Sequence, residues 1–176
     1  METNRKTILQ RTTAKKIQAF LEGEERKALL VTGARQVGKT TLLRQLGQEA
    51  FPNFVELNFL ENTAARQLFE TATDSSDFLL RLSALVGEKL VPGKTLIFLD
   101  EVQECKEIVT AIKFLVEEGS YRYILSGSLL GVDLKDIRSV PVGYMDVLEM
   151  YPLDLAEFAQ ANGVAPRVLD ALRESF

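Results

Sequence analysis

Gly33-Ala34-Arg35-Gln36-Val37-Gly38-Lys39-Thr40 fits the spacing G-x-x-x-x-G-K-[ST] at every fixed position. The apolar run Ala28-Leu29-Leu30-Val31 lies directly before it. Directly after it, Leu42, Leu43 and Leu46 share one face of a helix predicted over Lys39 to Glu49. Strand, glycine turn and helix in that order make an anion cradle. The glycines allow a backbone path that turns N–H groups inward, and the helix aims its partially positive N-terminus at the same point. The expected ligand-binding set is Gly33, Ala34, Arg35, Gln36, Val37, Gly38, Lys39, Thr40 and Thr41. Within it, Lys39 sets a point charge on the β and γ oxygens of a triphosphate, and the Thr40 hydroxyl is a Mg²⁺ ligand.

Working outward, apolar runs alternate with stretches of helical period, the mark of an α/β chain. Strands are predicted at 28–31, 54–59, 95–99, 121–125 and, more weakly, 147–150. The runs at 28–31 and 95–99 are almost wholly apolar, as in central parallel strands covered by helices on both faces, whereas 54–59 alternates and belongs nearer an edge. Helices are predicted over Thr12 to Leu21, Lys39 to Glu49, Asp77 to Leu90 and Glu104 to Glu118, the last closed by Gly119. Leu90-Val91-Pro92-Gly93-Lys94 reads as a turn. Beyond Tyr151-Pro152, two more helical patterns run from Leu153 to Asn162 and from Pro166 onward. Residues 1–152 therefore read as the core with a leading helix. Residues 153–176 read as a helical extension that leads, in a longer parent chain, to a further domain.

A second chemical signal is Leu96-Ile97-Phe98-Leu99-Asp100-Glu101. A buried-type strand that ends in two adjacent carboxylates needs a cation or water to offset their desolvation. Behind an anion loop, Asp100 is expected to hold Mg²⁺ and Glu101 to orient or deprotonate an attacking water. Ser126, in Ser126-Gly127-Ser128 at the end of the fourth strand, is expected to sense the γ-phosphate. Arg35, inside the loop, and Arg138, between the fourth and fifth strands, are candidates for touching the transferred phosphate.

Composition removes other chemistries. The 176 residues contain no histidine and one cysteine, Cys105, which excludes serine–histidine triads, histidine-based zinc sites and an intrachain disulfide. No run reaches the ~18–20 apolar residues a membrane helix needs, and the N-terminus lacks the apolar core of a signal peptide, so the default address is the cytoplasm. Net charge is −4, yet residues 1–50 hold ten Lys/Arg against five Asp/Glu, and the rest eleven against twenty. A basic opening segment suits an anionic ligand. The acidic remainder argues against a broad nucleic-acid face, while contact with nucleic acid stays open.

With these residues in hand, the chain resembles the ATPase domain of the bacterial and archaeal AAA-type family whose members also carry a C-terminal domain of the DUF4143 type. The matching stretches are Gly33 to Leu43, Leu99-Asp100-Glu101-Val102-Gln103, Leu125-Ser126-Gly127-Ser128 and Tyr151-Pro152-Leu153-Asp154-Leu155-Ala156-Glu157-Phe158. The resemblance implies a three-layer P-loop NTPase fold with a five-stranded sheet in the order 5-1-4-3-2, ATP as ligand, and a following DUF4143-type domain. Many relatives have Gly-Arg where this chain has Gly143-Tyr144, so no arginine role transfers there. The first expectation is a Mg²⁺-dependent ATPase, with homo-oligomerisation left open. The alternative is a nucleotide-dependent binding or switch module with little hydrolysis. A nucleotide kinase would need an arginine-rich lid, and a GTPase an Asn-Lys-x-Asp segment, which the sequence lacks.

Overall fold

The computed structural model describes residues 11–72, 74–87, 90–128, 143–165 and 167–168. Five parallel strands, β1 (Ala28–Thr32), β2 (Asn53–Asn58), β3 (Thr95–Asp100), β4 (Arg122–Gly127) and β5 (Met145–Glu149), form one sheet ordered β2-β3-β4-β1-β5. Taken from the other edge this is the expected 5-1-4-3-2. The central positions follow from composition. β1 and β3 are buried at every residue, while the edge strand β2 alternates between buried and half-buried positions after its first residue and β5 is buried only at Met145.

Because successive strand residues point to opposite faces, the sheet feeds two cores. Leu29, Val31, Leu96, Phe98 and Ile124 pack with Ile17 and Leu21 of α1 (Thr12–Glu22) and with Leu42, Leu43 and Leu46 of α2 (Lys39–Ala50). On the other face Leu30, Ile97, Leu99, Tyr123 and Leu125 pack against α3 (Thr63–Glu70), α4 (Ser75–Val86) and α5 (Lys106–Glu118). The result is three layers with helices on both sides.

Several boundaries differ from the sequence reading. The second strand ends at Asn58, one residue early: the Phe59 N–H still donates to the Asp100 carbonyl at 3.0 Å, but its backbone turns there, and its ring is buried in the core edge-on to Phe69. Helix α3 was not expected. Its eight residues carry only Ala65 and Phe69 as buried positions, a stripe too short for periodicity to register, and it starts on an Asn62 side chain that accepts from the Ala65 N–H at 2.9 Å. α4 begins at Ser75 because Asp74 caps it through the Asp77 N–H at 2.9 Å. The stretch from 102 opens as a 3₁₀ turn, Val102–Glu104, before α5. Gly119 closes α5 in the left-handed conformation, as expected. The last helical pattern, from Pro166 onward, lies almost wholly outside the described residues.

The chain after the sheet is tied back to it. α6 (Leu155–Ala161) opens on a capping box in which Asp154 and Glu157 each accept the other's backbone N–H. Arg11, at the entry to α1, forms an ion pair with Glu157 at 3.3 Å and donates to the carbonyls of Val37, at 3.1 Å, and Tyr151. Among the described residues no helix is long and apolar enough to cross a membrane.

Candidate nucleotide-binding site

The loop between β1 and α2 adopts the conformation its glycines predict. Gly33 has φ +147°, Gln36 +64° and Gly38 +93°, values that L side chains rarely adopt and that account for glycine at two of the three positions. Gly33 has a further reason that the motif alone does not supply. A Cβ there would come within 2.1 Å of the Met150 carbonyl oxygen, because the β1–β5 ladder, with Thr32 opposite Glu149 and the Met150 N–H bonded to the Thr32 carbonyl at 2.7 Å, sets Met150 alongside Gly33. Helix α2 starts at Gly38 with no side chain capping it, unlike α3, α4 and α6, so its first N–H groups face the loop.

Lys39 is buried, and its ammonium donates to the carbonyls of Gly33, at 3.1 Å, and Ala34, at 2.8 Å. Burial lowers its pKa, and the nearby charges of Glu101 and Asp100 oppose that shift without cancelling it. Its charge therefore lies inside the loop rather than in solvent. Arg35, Gln36 and Thr41 are exposed, while Ala34, Val37 and Thr40 are half-buried.

Three elements converge on Asp100. At 1% exposure its carboxylate accepts from the Thr40 hydroxyl at 3.1 and 3.2 Å, from the Asn58 amide at 3.0 Å and from the Ser126 hydroxyl. The sheet order explains the meeting. β3 lies between β2 and β4, with Asn58 directly opposite Asp100 and Ser126 one step beyond the Leu99–Leu125 pair. Burial pushes the Asp100 pKa up, and the hydrogen bonds from Ser126 and Thr40 only partly offset it. A hydroxyl and a carboxylate in contact beside an anion loop are hard oxygen donors of the kind that suits Mg²⁺, which takes one or two protein oxygens and completes its shell with water and phosphate. Among the described residues no group of three or more His, Cys, Asp or Glu could hold a metal.

Glu101 follows on the same strand end, half-buried, with left-handed backbone at φ +57°, ψ +48°. Its carboxylate accepts from the Gln103 amide. The structure thus brings Lys39, Thr40, Asp100, Glu101 and Ser126 to one end of the sheet. Arg138 lies outside the described residues. At Gly143-Tyr144, the Tyr144 hydroxyl donates to Glu117 at 2.6 Å. Arg122 is structural: it donates to the Gly23 and Phe20 carbonyls at 2.7 and 2.8 Å.

Three contributors escaped the sequence reading: Asn58, Gln103 and Arg11. Asn58 left a trace as a polar residue within the alternating 54–59 run, and Gln103 as the last residue of the family-matching stretch Leu99-Asp100-Glu101-Val102-Gln103, but neither pattern gave it a role. The role of Asn58 depends on the register with β3, which no spacing encodes.

A parallel three-layer sheet with an anion loop after its first strand and an acid at the end of β3 defines an ATPase-type nucleotide-binding domain. The chain belongs to the AAA domain family, whose model matches residues 25–159. Among solved structures it is similar to the Walker-type ATPase of Pyrococcus abyssi, with TM-score 0.60 and 18% identity over 94% of this chain and 60% of that one. It is also similar to PCH-2 of C. elegans, with TM-score 0.58 and 15% identity over 94% of this chain and 49% of that one. At such identities the likeness is one of fold, and the chain spans only about half to three-fifths of those structures. No curated protein sequence matches it.

Proposed function

We propose that the domain binds Mg²⁺-ATP and hydrolyses its γ-phosphate. The observation that carries this reading is the contact between Thr40, at the end of the anion loop, and the buried Asp100 across the sheet. Thr40 and Asp100 hold the cation, with Asn58 and Ser126 fixing the carboxylate's orientation. Ser126 also joins that carboxylate to the strand end where a γ-phosphate would lie, which lets it report phosphate to the metal side. Lys39 exchanges two loop carbonyls for β and γ oxygens, a stronger charge-assisted contact. Magnesium, when bound there, would supply charge neutralisation to the phosphates. Glu101 takes a proton from a water whose oxygen bonds to the γ-phosphorus. The bond from phosphorus to the β–γ bridging oxygen breaks, and its electron pair leaves on ADP. Arg35, exposed within the loop, is free to approach the transferred phosphate.

Two substitutions test this. Lys39→Ala should abolish binding of a fluorescent ATP analogue. Glu101→Gln should keep binding while reducing turnover by about 10²-fold or more. Robust turnover by the Glu101→Gln chain would remove Glu101 from the mechanism. A thermal-unfolding series with ATP, GTP and ADP, with and without Mg²⁺, assigns base and metal through mass-action stabilisation.

One observation favours the second reading, a nucleotide-dependent switch. Arg11 links the Val37 carbonyl of the anion loop to Glu157 of α6, so loop geometry and the segment after the sheet share one side chain. A chain that binds Mg²⁺-ATP with no turnover, and changes α6 protection against hydrogen exchange, would select that reading.

A further inference from the structure

Gln103 lies in the 3₁₀ turn that follows Glu101, and its side-chain amide is held at both ends. Oε1 accepts the Ser128 N–H at 3.2 Å, and Nε2 donates to Glu101 Oε2. A backbone N–H can only donate, so Oε1 must face Ser128 and the NH₂ group must face the carboxylate; the two bonds fix the amide's orientation together. Space for this bridge comes from Gly127. A Cβ there would stand 3.2 Å from Gln103 Oε1, tighter than ordinary contact, and 3.4 Å from Val102 Cγ2. Among the described residues the buried Ser128 hydroxyl has no hydrogen-bond partner. The end of β4 therefore touches both acids: Ser126 bonds Asp100, and two residues on, the Ser128 N–H reaches Glu101 through Gln103.

We propose that Gln103 is a positioning residue for Glu101, tying its carboxylate to the backbone end of β4 so that the water-directing acid and the metal-side acid move as one unit. The inference rests on the hydrolytic role of Glu101 given above. A glutamate has three rotatable side-chain bonds. Holding Oε2 by an amide leaves Oε1 for the proton and removes unproductive rotamers, which is how a second residue raises the fraction of near-attack geometries.

Gln103→Glu keeps the volume and the acceptor for Ser128, loses the donor to Glu101 and sets a second carboxylate against it, so the uncharged Gln103→Met separates lost positioning from charge repulsion. Thermal unfolding, Mg²⁺-ATP binding and single-turnover hydrolysis are measured on it, on Gln103→Met, on Glu101→Gln and on the double variants. Expected are a hydrolysis rate lowered about tenfold or more in both Gln103 variants, KM and Kd changed by less than about twofold, and no further fall in the Glu101→Gln background, where the group to be positioned is gone. Wild-type turnover by Gln103→Glu beside an inactive Glu101→Gln chain overturns the proposal. So does an equal fall in both backgrounds, which would mean a purely structural role. A wild-type chain without turnover, or an active Glu101→Gln chain, overturns the hydrolytic reading and this coupling with it.

Discussion

At the scale of single residues, the site is built from charges held where water cannot reach them. Asp100 is the clearest case: burial raises its pKa above the ordinary 3.8, so the folded chain holds that proton more tightly than the unfolded one. The linkage has a definite sign. Where the folded value exceeds the unfolded one, the carboxylate costs nothing below the unfolded pKa, and its cost grows as pH rises through the interval between the two. Asp100→Asn should therefore relieve a charge-burial cost that is present at neutral pH and absent at acid pH, so its stability relative to the parent chain should improve as pH rises, while the added stabilisation from Mg²⁺-ATP is abolished. Thermal melts at two pH values, with and without ligand, check both halves. Cys105 lies at the opposite extreme. Burial foremost, then the Glu107 charge, pushes its thiol up to about 12, so the thiolate is scarce at neutral pH. Reaction with a disulfide reagent should be at least about tenfold slower in the native chain than in denaturant, and a fast native reaction would contradict its placement in the core.

At the scale of elements, the anion loop is shaped as much by its neighbours as by its ligand. Gly33 is required by the Met150 carbonyl of the segment leaving β5. Arg122 of β4 supplies the last turn of α1 with a positive charge that the helix itself lacks, donating to two of its terminal carbonyls with the guanidinium 5.2 Å from the Phe20 ring centre. Gly47 lets α2 lie close on the sheet: a Cβ there would stand 2.4 Å from Phe54 Cε2 and 3.0 Å from Leu96 Cδ2. Helix propensity favours Gly47→Ala by about 1 kcal/mol. The overlap with packed side chains costs about 1–3 kcal/mol, and it wins. A lower urea midpoint is expected, and a raised one would mean that α2 stands further from β2 than described.

At the scale of the whole molecule, Arg11 and Glu157 join the two ends of the described chain at the anion loop. Both side chains are under 10% exposed, so removing one partner strands a buried charge. Glu157→Gln should destabilise the chain by about 3 kcal/mol, and Arg11→Met combined with Glu157→Leu by clearly less. Chemical denaturation of the three variants measures the difference. If the single substitution were harmless, α6 would not be anchored to the core. The same anchoring makes Mg²⁺-ATP affinity sensitive to Arg11, since its other partner is the Val37 carbonyl. Weaker nucleotide binding by Arg11→Ala, read by fluorescence titration, is the expected companion result.

The amino-acid sequence by itself determined the fold class, the central places of β1 and β3, the edge place of β2 and the loop of Gly33 to Thr40. Each depends on local hydrophobic period or on a backbone conformation that few residues tolerate, and both are written in neighbouring residues. Helix α3 escaped because a two-residue stripe carries no period. Tertiary structure alone decided which polar groups meet. Asn58 reaches Asp100 only through strand register, Gln103 reaches Ser128 only through the return of β4, and Arg11 reaches Glu157 across 146 positions. Hydrogen bonds and ion pairs act over about 3 Å in space, and separation along the chain leaves no periodic trace of them.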